Sequence, residues 1–149
     1  MYLDSAYIAK YYVNESDSAG VRRLIGQADS LESSTWALAE VHCVFHRHMR
    51  EGSITPAQCR RLAETFIAHV RSGIWCFTAV SESLLMRTAA RMSLAPAEVF
   101  LRTGDAVHLT TACEIGATEV WTNDRHMLAA APFFGLVGRS ITQTTHPTG

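Results

Sequence analysis

The amino-acid sequence predicts one α/β domain of three layers, α/β/α, with a short, mostly parallel sheet flanked by helices. Three observations carry this. Short β-type runs alternate with helical segments from one end of the chain to the other. The 149 residues are the usual size of one domain, and 48% are apolar, enough for a packed core. No internal repeat, linker or low-complexity run divides them.

In order, residues 1–4 make a minimal strand, and Ser5 is placed to cap a helix over 6–13. Ser16 or Asp17 caps a second helix, whose apolar stripe is Val21, Leu24 and Ile25. A weak strand follows over 30–33. Thr35 opens a long helix to about Arg50, which Gly52 ends. Thr55-Pro56, a cap followed by a first-turn proline, starts a helix to about Arg71. Gly73 breaks it, and 74–80, rich in aromatic and β-branched residues, is the clearest strand. Ser81 caps a helix to about Met92, and Pro96 marks 94–100 as a turn with a short helix or loop. Gly104-Asp105 opens a helix that Gly116 stops, and Glu119-Val120-Trp121-Thr122 forms the next strand. A short helix ends before Pro132, and Leu136-Val137 begins a last strand. Residues 1–140 are thus the domain, and 141–149 a polar tail expected to be loose.

Composition excludes several classes. Charged residues at 18% argue against disorder, and no apolar run nears the ~20 residues that span a bilayer. Met1-Tyr2-Leu3-Asp4 goes directly into structure, so no leader is expected, and the expected location is the cytoplasm. Cys43, Cys59, Cys76 and Cys113 form no C-x-x-C pair and read as reduced core thiols. Net charge is −1, yet twelve of the thirteen basic residues are Arg, the side chain best shaped for phosphate. That is compatible with a nucleic-acid partner without establishing one.

Four carboxylates stand at comparable places. Asp4 and Asp124 follow strands, Asp105 lies in the first turn of a helix, and Glu40 sits at the edge of an apolar helical stripe. Taken singly, each suits a structural role: cap, turn residue, dipole partner or snorkelling edge residue. Together they lie where ligands collect in open α/β sheets, outside the carboxyl ends of the strands.

Leu3-Asp4-Ser5, Ala39-Glu40-Val41, Gly104-Asp105-Ala106-Val107-His108-Leu109 and Thr122-Asn123-Asp124 resemble, in order and spacing, the four motifs of PIN domains. The resemblance runs from Tyr2 to about Val137 and is nearest to the VapC-type toxins of bacterial toxin–antitoxin pairs. Arg125-His126-Met127-Leu128 supplies no fifth acid, which some relatives carry. The resemblance implies a Mg²⁺- or Mn²⁺-dependent endoribonuclease with an RNA substrate, a cognate antitoxin and a homodimeric form, away from membranes. It assigns Asp4, Asp105 and Asp124 to the metal, and Glu40 to the attacking water or a second ion. Ser5, Thr122 and Asn123 would steady those acids or contact phosphate. The chemistry agrees, because hard divalent ions take oxygen donors.

Other features are read plainly. His42 and His46, one turn apart, lack the acid–histidine motif of a zinc site and read as exposed helix residues. His108 is expected to pack or hydrogen-bond beneath the acids. Trp36, Phe45, Met49 and Trp75 are expected in the core or a subunit interface. An aspartyl phosphatase of the haloacid-dehalogenase type would need a second Asp where Ala6 stands, and a receiver domain would need paired acids near the first strand. The remaining alternative is a catalytically silent PIN-like interaction module, against which the complete acid quartet argues.

Overall fold

The computed structural model describes residues 1–143, as five strands and seven α-helices. The strands are β1 (Tyr2–Leu3), β2 (Glu32–Ser34), β3 (Cys76–Thr78), β4 (Glu119–Trp121) and β5 (Val137–Arg139). The helices are α1 (Ser5–Tyr12), α2 (Ser18–Ile25), α3 (Trp36–Arg50), α4 (Pro56–Arg71), α5 (Glu82–Ser93), α6 (Thr103–Glu114) and α7 (Arg125–Ala130). All pairings are parallel, in the order β3-β2-β1-β4-β5. The expected α/β/α fold is therefore present, with an entirely parallel sheet.

Alternation along the two-residue strand β1 separates the layers. Leu3 joins a core with Tyr7, Ile8, Val41, Phe45, Phe66 and Trp75. Tyr2 faces the other side and joins Leu109, Val120, Met127 and Phe134. The first four helices cover one face, and α6 and α7 the other.

Several helix ends follow their expected chemistry. Thr55 and Gln58 form a reciprocal capping box at Pro56, and Ser81 Oγ accepts the Leu84 N–H. Gly52, Gly73 and Gly116 adopt φ of 72–78°, the left-handed region that ends a helix without a Cβ penalty.

Four expectations are corrected. Asp4, not Ser5, caps α1, accepting the Tyr7 N–H at 2.8 Å, because Ser5 is already helical. Asp17 stands at the start of α2 without a side-chain cap bond, its carboxylate being engaged elsewhere. The clearest expected strand shrinks to Cys76–Thr78, since only those residues pair with β2. The four cysteines are free, but Cys43 and Cys76 are exposed and none is fully buried. The expected loose tail lies mostly outside the described residues, although Ile141–Gln143 forms a 3₁₀ turn.

Candidate active site

The strand order places a topological switch between β1 and β4. From β1 the chain proceeds toward β2, and from β4 toward β5 on the opposite edge. The crevice such a reversal opens lies at the carboxyl ends of those two strands. Asp4 directly follows β1 and Asp124 lies three residues beyond the end of β4 at Trp121.

Thr122 joins these two acids. Its Oγ1 donates to Asp4 Oδ2 at 2.5 Å and accepts the Asp124 N–H at 2.9 Å. Asp4 is 6% exposed, with its other oxygen on the Tyr7 N–H. Burial raises its pKa above the ordinary carboxylate range, against the hydrogen bonds from Thr122 and Tyr7 and the charges of His108 and Lys10. Asp124 is exposed and caps α7, its Oδ1 accepting from His126 N (2.7 Å) and Met127 N (3.0 Å).

Glu40 reaches the same place from α3. Its Oε2 accepts from Ser5 Oγ and meets His108 Nε2 at 2.8 Å. The far side of the His108 ring meets the Tyr2 hydroxyl at 3.0 Å. His108 is 2% exposed, so it does hydrogen-bond beneath the site, with Glu40 as its main partner. Burial pushes the Glu40 carboxyl up, but the bond and charge of His108, with Ser5 and the Trp36 indole, hold it below the usual range. Trp36 is 38% exposed, so it lies beside Glu40 and not in the core. Gly104 makes room for this group: a Cβ there would lie 2.6 Å from Glu40 Oε1 and 3.1 Å from Trp36 Nε1.

Asp105, half-buried in the first turn of α6, accepts the Arg102 N–H at 3.2 Å. Its pKa is raised, first by burial and then by the negative charges of Asp124 and Glu40, against the Arg102 N–H and the charge of His108. Three of the four acids are thus close enough to repel. The bonds formed use Oδ2 of Asp105 and Oδ1 of Asp124. Each carboxylate's second oxygen has no hydrogen-bond donor among the described residues.

Asn123 faces away from the acids. Its Nδ2 donates to Asp17 Oδ2 at 2.5 Å, and its Oδ1 accepts from the Tyr7 hydroxyl (2.8 Å) and Ser140 Oγ (2.6 Å). Asp17 also binds Lys10 Nζ at 2.5 Å. Lys10 is the chain's one lysine, and it is buried. Sequence reasoning missed this Lys10–Asp17–Asn123–Tyr7 cluster. Its visible trace was a lone lysine on an apolar helix, followed by Glu15 and Asp17.

Among the described residues, no group of three or more His, Cys, Asp or Glu side chains forms a ready cage for a metal ion. The acids are held by separate tethers: Asp4 by Thr122 and Tyr7, Glu40 by Ser5 and His108, Asp124 by α7. Their chemistry nonetheless fits a hard divalent cation. The donors are all oxygen, and a cation would relieve the repulsion that raises Asp105.

The PIN domain family profile matches residues 1–132. A comparison with curated protein sequences returns no match. Among solved structures, the Mycobacterium tuberculosis toxin VapC20, described as cleaving the sarcin–ricin loop, superposes with a TM-score of 0.70. The identity is 15%, covering 87% of this chain and 93% of that one. A chain of VapBC2 from Rickettsia felis, solved bound to a DNA fragment from its promoter, gives a TM-score of 0.64. There the identity is 13%, covering 93% of this chain and 96% of that one.

Proposed function

We propose, from the premise that this chain belongs to the PIN-domain family, that it is a Mg²⁺- or Mn²⁺-dependent endoribonuclease acting as the toxin of a toxin–antitoxin pair. The observation that carries the reading is the convergence of the acids at the switch point: Thr122 ties Asp4 to the Asp124 turn, and Ser5, beside Asp4, holds Glu40. Burial first, and the charges of Asp124 and Glu40 after it, raise Asp105, an arrangement that suits a bound cation and phosphate. The silent interaction module explains the fold but not this arrangement.

Asp105 and Asp124, through their unengaged oxygens, and Asp4 would hold the ion. A bound ion would supply polarisation of the scissile phosphate and a lowered pKa for a coordinated water. Glu40, kept ionised by His108, Ser5 and Trp36, accepts a hydrogen bond from that water and aims it. Its lowered pKa makes it a better orienting group than a proton store. Thr122 ties the Asp4 carboxylate to the Asp124 turn and so sets the width of the crevice. Ser5 steadies Glu40, and Asn123 steadies the Asp124 turn from behind.

The likeness to the VapBC2 chain supports a protein antitoxin as partner. In this reading the antitoxin offers arginine to the acidic crevice, and the toxin is a cytoplasmic homodimer. No helix among the described residues is long and apolar enough to cross a membrane.

End-group analysis of a cleaved oligonucleotide tests the mechanism. Attack by water leaves a 5′-phosphate and a 3′-hydroxyl, needs Mg²⁺ or Mn²⁺, and stops in EDTA. A 2′,3′-cyclic phosphate formed in EDTA would mean that the RNA 2′-hydroxyl attacks without metal, overturning the reading.

A further inference from the structure

We propose that the rim of the acid cluster is a track for single-stranded RNA, on which Trp36 at one end and the Phe100–His126 pair at the other stack bases flanking the cleaved bond. The ribonuclease reading supplies the polymer, and the proposal rests on it to that extent. The track itself comes from residues that the acid chemistry does not use.

Phe100 is 60% exposed. Its neighbours Val99 and Leu101 pack on the core that contains Leu109 and Met127, while Phe100 turns outward. Its ring lies 4.7 Å from that of His126, centroid to centroid, tilted by 58°. His126 opens α7, where its N–H is held by Asp124 Oδ1. An exposed aromatic pair is therefore anchored to one of the acids. At the other end, Trp36 is anchored through its indole to Glu40 and keeps more than a third of its surface open. Contacts run from one aromatic to the other past the acids: Trp36 and Glu40 meet at Gly104, Ser5 beside Asp4 holds Glu40, Thr122 ties Asp4 to the Asp124 turn, and Asp124 holds His126, whose ring meets Phe100.

The charges of the rim suit a phosphate backbone. Arg47, Arg87 and Arg139 each pair with a glutamate. Arg102 and Arg125 stand beside Asp105 and Asp124, yet neither forms an ion pair among the described residues. Arg125 contacts only the His126 ring, at 3.3 Å. Two arginines next to exposed aromatics are the elements by which proteins grip single strands, the cations on phosphates and the rings on base faces. In an A-form duplex the base faces are already stacked on one another and closed to such a platform. The arrangement therefore selects unpaired RNA, a loop or a single-stranded stretch.

Binding without cleavage tests the track independently. In an Asp105→Asn background, a fluorescein-labelled 12-nucleotide oligouridylate is titrated by anisotropy, beside the same strand annealed to oligoadenylate. Adding Phe100→Ala should weaken binding of the single strand about tenfold, with Phe100→Trp restoring it. The duplex should bind more weakly and be indifferent to residue 100. Arg102→Gln with Arg125→Gln should flatten the dependence of log affinity on log salt by about 1.4. Unchanged binding on Phe100→Ala, or a duplex bound as tightly as the single strand, overturns the track. A wild-type chain that cleaves no RNA with Mg²⁺ or Mn²⁺ would sink the nuclease reading while leaving these binding results to decide the track.

Discussion

Two polar clusters flank the Asp4–Thr122 junction, and they are built on opposite principles. Behind it, Lys10, Asp17, Asn123, Tyr7 and Ser140 form a partly buried set with opposite charges matched and each side chain hydrogen-bonded. In front of it, Glu40, Asp105 and Asp124 bring like charges together, and Asp105 is harder to ionise, first through burial and then through those charges. A satisfied buried network specifies one arrangement of the chain, whereas an uncompensated one stores an affinity for something else. The rear cluster fixes the turn that carries Asp124. The front cluster is where chemistry is to be expected.

Substitution of Asp105 is the strongest way to break the contrast. Asp105→Asn keeps the shape and removes one negative ligand, so metal-dependent cleavage should fall by about 10²–10³-fold. The circular dichroism spectrum should not change. Cleavage at the wild-type rate would remove Asp105 from the mechanism.

In the rear cluster the same kind of change should act on stability instead. Lys10→Met leaves the half-buried Asp17 without its cation and should cost about 1–3 kcal/mol in urea unfolding. Removing the stranded charge as well, in Lys10→Met/Asp17→Asn, should recover part of that loss. Equal stability of Lys10→Met and wild type would mean that the rear cluster holds nothing in place.

Gly104→Ala sharpens the comparison by separating stability from activity. Alanine is the better helix former, so the fold should be at least as stable. Its Cβ, however, needs the place of Glu40 Oε1, 2.6 Å away, and the carboxylate must turn aside. Cleavage should drop about tenfold, since small misplacements of reacting groups cost heavily. Full activity would show that Glu40 needs no fixed position.

The smallest effect is on pH dependence without metal. Asp4 and Asp105 have raised pKa values, so the folded state holds their protons to higher pH than the unfolded chain. Stability should therefore rise as pH falls from neutral toward the ordinary carboxylate range. Glu40 and Asp17 are shifted downward, Asp17 because Lys10 outweighs its burial. Their contribution is lost at pH below that range, so stability should pass through a maximum. Asp105→Asn should flatten the neutral-side arm only. An unaltered profile in thermal melts would deny that Asp105 is held protonated above the ordinary carboxylate range.

Much of this was legible in local sequence. Alternating strands and helices define the layers, Thr55-Pro56 and Ser81 begin their helices, and the glycines at 52, 73 and 116 end theirs, because caps and turns are decided within four residues. Asp4, Asp124 and Asp105 were legible too, as strand-end and helix-start residues, Glu40 as an acid at the edge of an apolar helical stripe, and so was the place of His108 beneath them. What tertiary structure decided was which partners those residues meet. Thr122 reaches Asp4 across 118 positions, and both Asn123–Asp17 and Tyr2–His108 span 106. These contacts exist because β1 lies between β2 and β4, and strands of two or three residues carry too little pattern to announce their neighbours. Ser5 could read as a cap only while those neighbours were unknown, and the partners of Asn123, namely Asp17, Tyr7 and Ser140, had no trace in its local sequence. A side chain's local role follows from backbone geometry, but its partner follows from strand order, which the packing of whole helices on the sheet selects.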